Sequence, residues 1–374
     1  MRKSFGENML QTIRLALCLF VMMALSINLR ADERPWIKIR GVYGGMPNLP
    51  QGKTLKDFGI NAVWVGSGGV RRDLVDSLHA QGVKLFAEFN TMHDSGYLKE
   101  QPDAAPIGID GKICPAPDGW QGVCPTHPGY RRQRMIAFRE TLAKAEVDGI
   151  WLDYHHSHAS WEQAVPNMPL SCFCERCVRL FVESSKVDIP KELNAEDRNR
   201  WIIANKKSQW VNWRCDVFTD WVREFREIVD KTRPKALLGT FHNPWSPNDY
   251  DGAIRDLLAI DLKAQARYID VFSIMPYHAR FGHHRDPAWI SRQVNDLRTL
   301  LGNRGDAAER NQIWPIVQLA DWGEVVQTEQ IKEVMDHGTR RPSAGVTIFH
   351  TGGLNQHPDR LEELGKFYRS IAKD

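Results

Sequence analysis

The residues of this 374-residue chain whose types and spacing suit chemistry gather between Asp148 and Phe181. Asp-Gly-Ile-Trp-Leu-Asp-Tyr-His-His runs from Asp148 to His156, and Cys-Phe-Cys-Glu-Arg-Cys follows from Cys172 to Cys177. An apolar run that ends in a carboxylate and histidines is what a buried strand delivers to the rim of an α/β barrel. Asp153 closes that run, and a carboxylate in such a place must be used, solvated or paired to offset its burial. Cys172, Cys174 and Cys177 bring three thiols together where a helix begins. They form a partial ligand set for a tetrahedral zinc, which needs a fourth thiolate or imidazole from elsewhere. Cys124 is the obvious candidate, with Cys114 behind it. Disulfides are the competing reading, since an exported protein can form them. Closely spaced cysteines pair poorly with one another, so that reading must use Cys114, Cys124 or Cys215. Three near-adjacent thiols favour metal.

A regular scaffold must position these groups, and the rest of the chain supplies one. Apolar segments at Trp36–Tyr43, Ala62–Gly66, Val83–Asn90, Val147–Tyr154, Ala236–His242, Asp270–Tyr277, Ile313–Asp321 and Gly345–His350 read as eight strands. Helical patterns alternate with them, at Arg71–Gln81, Tyr130–Ala145, Trp210–Thr232, Ile254–Tyr268, Trp289–Leu301, Gln330–His337 and Leu361–Ile371. The stripe of Trp213, Val217, Trp221 and Phe225 is core packing. The series predicts an α/β fold, a single (β/α)8 TIM barrel over residues 32–374. It carries an extended loop after strand three (Thr91–Pro128) and a helical excursion after strand four.

In such a barrel the C-terminal strand ends converge on one pocket. Strand three ends with Glu88 and Asn90, strand four with Asp153, His155 and His156, and strand five with His242 and Asn243. Strand six ends with Tyr277 and His278, strand seven with Gln318 and Asp321, and strand eight with His350. Carboxyl groups for acid, base or nucleophile work, beside flat aromatic rings, are what a sugar site needs. The catalytic candidates are Asp153, Asp321 and Glu88. Asp321 is chosen as partner on position alone, and Glu88 is in phase with Asn90 and equally suits a buried ion pair. The substrate-binding candidates are Asn90, His155, His242, Trp245, Tyr277, His278, Trp322 and His350. Glu175 reads as a surface charge, His283-His284-Arg285 as a solvated loop, and Thr351-Gly352-Gly353 as a turn.

The segment Cys124-Pro125-Thr126-His127-Pro128-Gly129-Tyr130-Arg131, followed by a helix, a strand-four carboxylate and Cys172 to Phe181, resembles the β-galactosidases of glycoside hydrolase family 42. The resemblance implies a structural zinc held by Cys124, Cys172, Cys174 and Cys177. The chain departs from that family at two points: Leu152-Asp153 stands where its strand four ends in Asn-Glu, and Asp321 where its strand seven carries a nucleophilic Glu. Its trimerisation and C-terminal β domains have no counterpart here. Asp153 after Gly-Ile-Trp-Leu also resembles the strand-four nucleophile of several α-glycosidase families.

Lys and Arg total 49 against 46 Asp and Glu, and a net charge of +3 leaves no dedicated nucleic-acid surface. Arg2, Lys3 and Arg14 precede the apolar run Leu15–Leu29, which reads as a signal peptide over residues 1–31 cleaved after Ala31. An uncleaved membrane anchor is the alternative. The expectation is a protein exported to the periplasm or beyond, with no membrane partner after cleavage and no organic cofactor, that hydrolyses an oligo- or polysaccharide. Two other classes compete: a metal-dependent hydrolase of deacetylase or amidohydrolase type using the histidines, and a carbohydrate-binding barrel without chemistry.

Overall fold

Strands buried on both faces read as near-continuous apolar runs and need helices outside and side chains packed inside. That is the arrangement in the computed structural model, which describes residues 33–116, 121–302 and 310–372. The predicted signal segment lies outside them. Nine parallel strands, β1 (Ile39–Tyr43), β2 (Ala62–Gly66), β3 (Lys84–Asn90), β4 (Gly149–Asp153), β5 (Leu237–His242), β6 (Val271–Ile274), β7 (Gln312–Ile313), β8 (Ile316–Gln318) and β9 (Gly345–Phe349), pair in the order β7-β6-β5-β4-β3-β2-β1-β9-β8. β7 and β8 are two halves of one predicted strand, parted at Trp314 and Pro315, where proline removes a donor. On one side the amides of Gln312 and Trp314 donate to Asp270 and Phe272; on the other, the carbonyls of Ile313 and Pro315 accept from Ala344 and Thr347. The segment therefore bridges both edges and closes an eight-stranded barrel.

Two helical predictions differ in extent. The helix expected from Trp210 begins at Ala195 and runs to Thr232, capped by the Asn194 side chain and kinked at Lys206. Its earlier turns carry Ile202 into a small second core with Phe173, Phe181 and Trp210. The expected Ile254–Tyr268 helix is two short ones, Ala253–Asp256 and Leu262–Gln265. Ala259, at φ 59°, breaks it, and Asp261 caps the second piece.

Alternation by two along each strand sets what lies above what inside the barrel. Trp64, Phe86, Trp151 and Trp314 fill the interior, with Trp64–Phe86 centroids 4.5 Å apart, Phe86–Trp151 4.7 Å and Trp151–Trp314 5.7 Å. The Trp151 indole donates to Ser273 Oγ at 3.0 Å. Two residues onward from this plug stand Glu88 on β3 and Asp153 on β4, so the strand period places both carboxyls directly above an apolar floor. The rings fit because small residues face them: a Cβ at Gly239 would come within 2.2 Å of the Trp151 ring. Gly239→Ala should therefore cost about 1–3 kcal/mol of stability through overpacking, read as a lower urea midpoint at unchanged m-value.

Candidate active site and cysteine cluster

Tyr43 ends β1 and Glu88 lies near the end of β3, and across the intervening β2 the Tyr43 hydroxyl donates to Glu88 Oε2 at 2.8 Å. Glu88 and Asp153 share a side-chain hydrogen bond. Asp153 Oδ1 accepts from the backbone N–H of Tyr154 at 2.8 Å, and Tyr154 holds that N–H in place with φ 52°, a left-handed conformation that tyrosine rarely adopts. Burial raises the Glu88 carboxyl, opposed by its hydrogen bonds to Tyr43 and Asp153. Burial, reinforced by the charges of Glu88 and Glu162, raises Asp153 well above the usual carboxylate range. Adjacent carboxyls resist carrying two charges, and the hydroxyl donated to Glu88 favours ionisation there, so the proton is held more tightly at Asp153.

A third carboxyl completes the set. Glu162, in the loop after β4, is pushed up to about 7 by burial, with Arg280 opposing and Glu88 reinforcing the rise. The loop is tied down by Arg280 Nε, which donates to the Glu162 carbonyl at 2.5 Å. Asp153 and Glu162 both line a cavity of about 170 Å³ together with Tyr43, Tyr154, Phe241, Tyr277, Trp322 and Phe349. The aromatic wall is continuous: Tyr277–Phe349 centroids are 4.7 Å apart, Trp322–Phe349 5.3 Å, and Arg280 lies over the Trp322 ring at 4.6 Å. A larger cavity, about 750 Å³, opens at the opposite end of the barrel. Of its carboxylates, Asp148 is engaged by Lys84, His79 and the Leu85 amide, and Glu146 by Arg233.

The other sequence candidates fall in different places. Tyr277 and Trp322 line the cavity with Asp153. Asp321 does not: its carboxylate is held by Arg360, His357 and the Val326 amide. Asn90 clamps the backbone of His93 with both ends of its amide. His155 is buried between Thr91 Oγ1 and the Phe218 carbonyl, and His350 caps the helix Thr351–Gln356 by accepting from Gly352. His242 bonds the Asn243 carbonyl, while His278 is fully buried; burial lowers both to about 4. Trp245 packs against Trp161, whose indole donates to His156 Nε2 at 3.0 Å. Sequence reasoning missed Tyr43, the polar end of strand one, which inspecting every strand end would have found. It also missed Glu162, and nothing in its loop sequence marks that residue beyond the adjoining Trp161.

Cys124, Cys172, Cys174 and Cys177 meet with their sulfurs all within 4.8 Å. Cys124 Sγ lies 3.7 Å from Cys174 Sγ and 3.6 Å from Cys177 Sγ, far beyond a disulfide's roughly 2.05 Å. Cys174 caps the helix Glu175–Ser185, accepting from the Cys177 amide, and Cys172 accepts from the Ile107 amide. The neighbouring thiols, the Cys177 amide and the helix N-terminus favour a thiolate at Cys174, the form that ligates metal. The four can hold a metal ion, and among the described residues no other group of His, Cys, Asp and Glu can. Cys114 and Cys215 are free and buried elsewhere.

No family model matches the chain, and no curated protein matches it by sequence. Solved structures do match. The glycoside hydrolase domain of PgaB (BpsB) from Bordetella bronchiseptica aligns with TM-score 0.62 at 15% identity, over 86% of this chain and 91% of that one. The β-galactosidase of Marinomonas ef1 aligns with TM-score 0.61 at 12% identity, over 88% of this chain and 59% of that one. The α-L-fucosidase isoenzyme 2 of Paenibacillus thiaminolyticus gives 0.53 at 14%, over 89% and 49%. The chain shares their fold. It spans about half to three-fifths of the length of the last two, whose further parts it lacks a match to.

The placement of Asp321 has a measurable consequence. Arg360 is buried with a side-chain exposure of 3%, so Asp321→Asn leaves a cation without its partner and should cost about 2 kcal/mol. Arg360 and the Val326 amide offset burial and hold Asp321 below the usual carboxylate range. Its contribution is therefore present above that range and lost as pH falls through the folded-state value. The stability gap between wild type and Asp321→Asn, followed by thermal unfolding, should narrow below about pH 4.

Proposed function

We propose that the chain is an exported glycoside hydrolase that cleaves glycosidic bonds of an oligo- or polysaccharide with Asp153 and Glu162. The observation that carries this reading is the pair of carboxyl groups in different protonation environments at one aromatic-walled cavity on the C-terminal face of the barrel. The fold shared with glycosidases agrees with it, and the apolar run at the N-terminus supports export. Glu162, which releases its proton at about 7, suits the proton donor to the departing oxygen. Asp153 then faces the anomeric carbon. As positive charge develops on the sugar ring, an ionised Asp153 becomes the favoured partner, and its proton passes along the existing hydrogen bond to Glu88; water supplies the hydroxyl that the anomeric carbon gains, and its other proton returns to the carboxylate left at Glu162. Glu88 is thus a positioning residue behind Asp153.

The four thiolates suit zinc: a tetrahedral shell with Zn–S of about 2.3 Å has sulfur–sulfur edges of roughly 3.75 Å, close to the 3.6 and 3.7 Å separations here. Four thiolates fill that shell and leave no position for substrate, so the ion would be a cross-link between the loop after β3 and the excursion after β4. The same point weighs against a metal-dependent hydrolase, because the histidines do not assemble a second ligand set among the described residues.

Two experiments test the proposal. On a panel of glycans and aryl glycosides, Asp153→Asn should lower kcat by at least about 10³-fold with folding intact. Wild-type activity should decline as pH rises through about 7, when Glu162 loses its proton, and Glu162→Gln should remove that limb together with most of kcat. Full activity in folded Asp153→Asn contradicts the assignment. Separately, elemental analysis should find about one zinc per chain. Cys177→Ser should lose the metal and destabilise the protein by several kcal/mol; a metal-free, equally stable wild type contradicts the zinc reading.

A further inference from the structure

The large apolar side chains exposed on this protein are few, and five of the six described ones belong to loops that follow strands: Met46 after β1, Ile113 after β3, Val165 after β4, Tyr250 after β5 and Val325 after β8. They surround the face on which the carboxyl cavity opens. Tyr250 stands apart for three reasons. It is 45% exposed, although an aromatic ring of this size gains by burial. It and Asp251 adopt φ 49° and 57° in succession, and two adjacent non-glycine residues in the left-handed region persist only where the surrounding structure imposes them. Finally, it ends a line of rings that starts at the catalytic cavity. Trp161, which with Asp153 and Glu162 lines the recess beside that cavity, has its centroid 5.9 Å from that of Trp245, and Trp245 lies 4.5 Å from Tyr250. The first two rings are buried and the third opens to solvent.

We propose that Tyr250 is a distal sugar-stacking platform, which binds a residue of the glycan chain beyond the scissile bond and so selects an oligo- or polysaccharide over a short glycoside. The inference rests on the glycoside hydrolase reading above and names the substrate length that the site prefers. A pyranose presents an apolar face of C–H groups to an aromatic ring while its hydroxyls remain in water, so a half-exposed, rigidly held ring suits it. The cavity itself, at about 170 Å³, accommodates roughly six water volumes, which is space for about one sugar ring. Contacts with a longer chain must therefore form outside it, and Tyr250 and Val165 supply apolar surface there. The Tyr250 hydroxyl lies 3.5 Å from the Ala164 carbonyl, which places the ring against the loop that carries Glu162.

That contact offers a competing role, a clamp on the loop, and two substitutions separate the roles. Tyr250→Phe removes the hydroxyl and keeps the ring; Tyr250→Ala removes both. Initial rates are measured on an aryl monoglycoside and on an oligosaccharide series of the sugar that the wild type hydrolyses. The platform predicts that Tyr250→Ala raises KM roughly fivefold for the longer oligosaccharides, leaves the aryl glycoside unchanged, and that Tyr250→Phe behaves as wild type on both. Equal losses in Tyr250→Phe and Tyr250→Ala, shared by the aryl glycoside, overturn the platform in favour of the clamp. An unchanged KM for every chain length in Tyr250→Ala overturns it as well. Absence of hydrolysis by the wild type on any glycan is a failure of the underlying reading, and is distinguished by its independence of Tyr250.

Discussion

Two carboxyl groups that hydrogen-bond to each other over an apolar floor cannot both carry charge, and the geometry of the barrel mouth depends on that constraint. Glu88 and Asp153 stand one strand period above Phe86 and Trp151, and Asp153 lines the cavity. The Tyr43 hydroxyl donates to Glu88, which favours the proton at Asp153, and the Tyr154 amide holds Asp153 Oδ1 at the expense of a left-handed backbone. Glu162 arrives from a loop, and burial keeps it near its switching point. Such an arrangement costs stability. A buried acid whose folded-state value is raised contributes most when protonated, and that contribution is lost as pH rises through about 7 for Glu162. Strain and raised carboxyls concentrated at one cavity are what a functional site tolerates and a purely structural barrel end has no reason to keep.

The thiol cluster bears on the same cavity from outside. It joins the loop after β3 to the excursion after β4, and the backbone bond from Phe173 to the Ile107 carbonyl runs beside it. The loop that delivers Glu162 lies between β4 and the cysteines, so the proposed metal cross-link would limit how far that loop can move. Arg280 secures the loop from the other side through the Glu162 carbonyl. The carboxyl cavity and the cysteine cluster are thus two ends of one connection.

Much of this was legible in the chain. Strand period and apolar runs gave the barrel, because buried parallel strands leave a nearly continuous apolar record. The cysteine spacing pointed to the ligand set and to Cys124 from a distant loop. Asp153 stood out because a carboxylate closing an all-apolar strand needs a reason. Position alone did not separate Asp321 from a catalytic acid. Its role depends on Arg360, thirty-nine residues later on the closing helix, which no local pattern reveals. Glu162 was hidden for the opposite reason: its raised proton affinity comes from burial by rings remote in sequence. Asn90 and His350 show that a polar strand end is as often spent on loop backbone or a helix cap as on a ligand.

The shared proton can be observed directly. Infrared difference spectra recorded during a titration resolve the carbonyl stretch of protonated carboxyl groups. For the wild type, that band should persist after Glu162 has ionised near 7, and it should disappear in Asp153→Asn, where Glu88 remains ionised between Tyr43 and the new amide. A spectrum in which every carboxyl is ionised by pH 6, or a band at pH 8 that survives the substitution, would contradict the account.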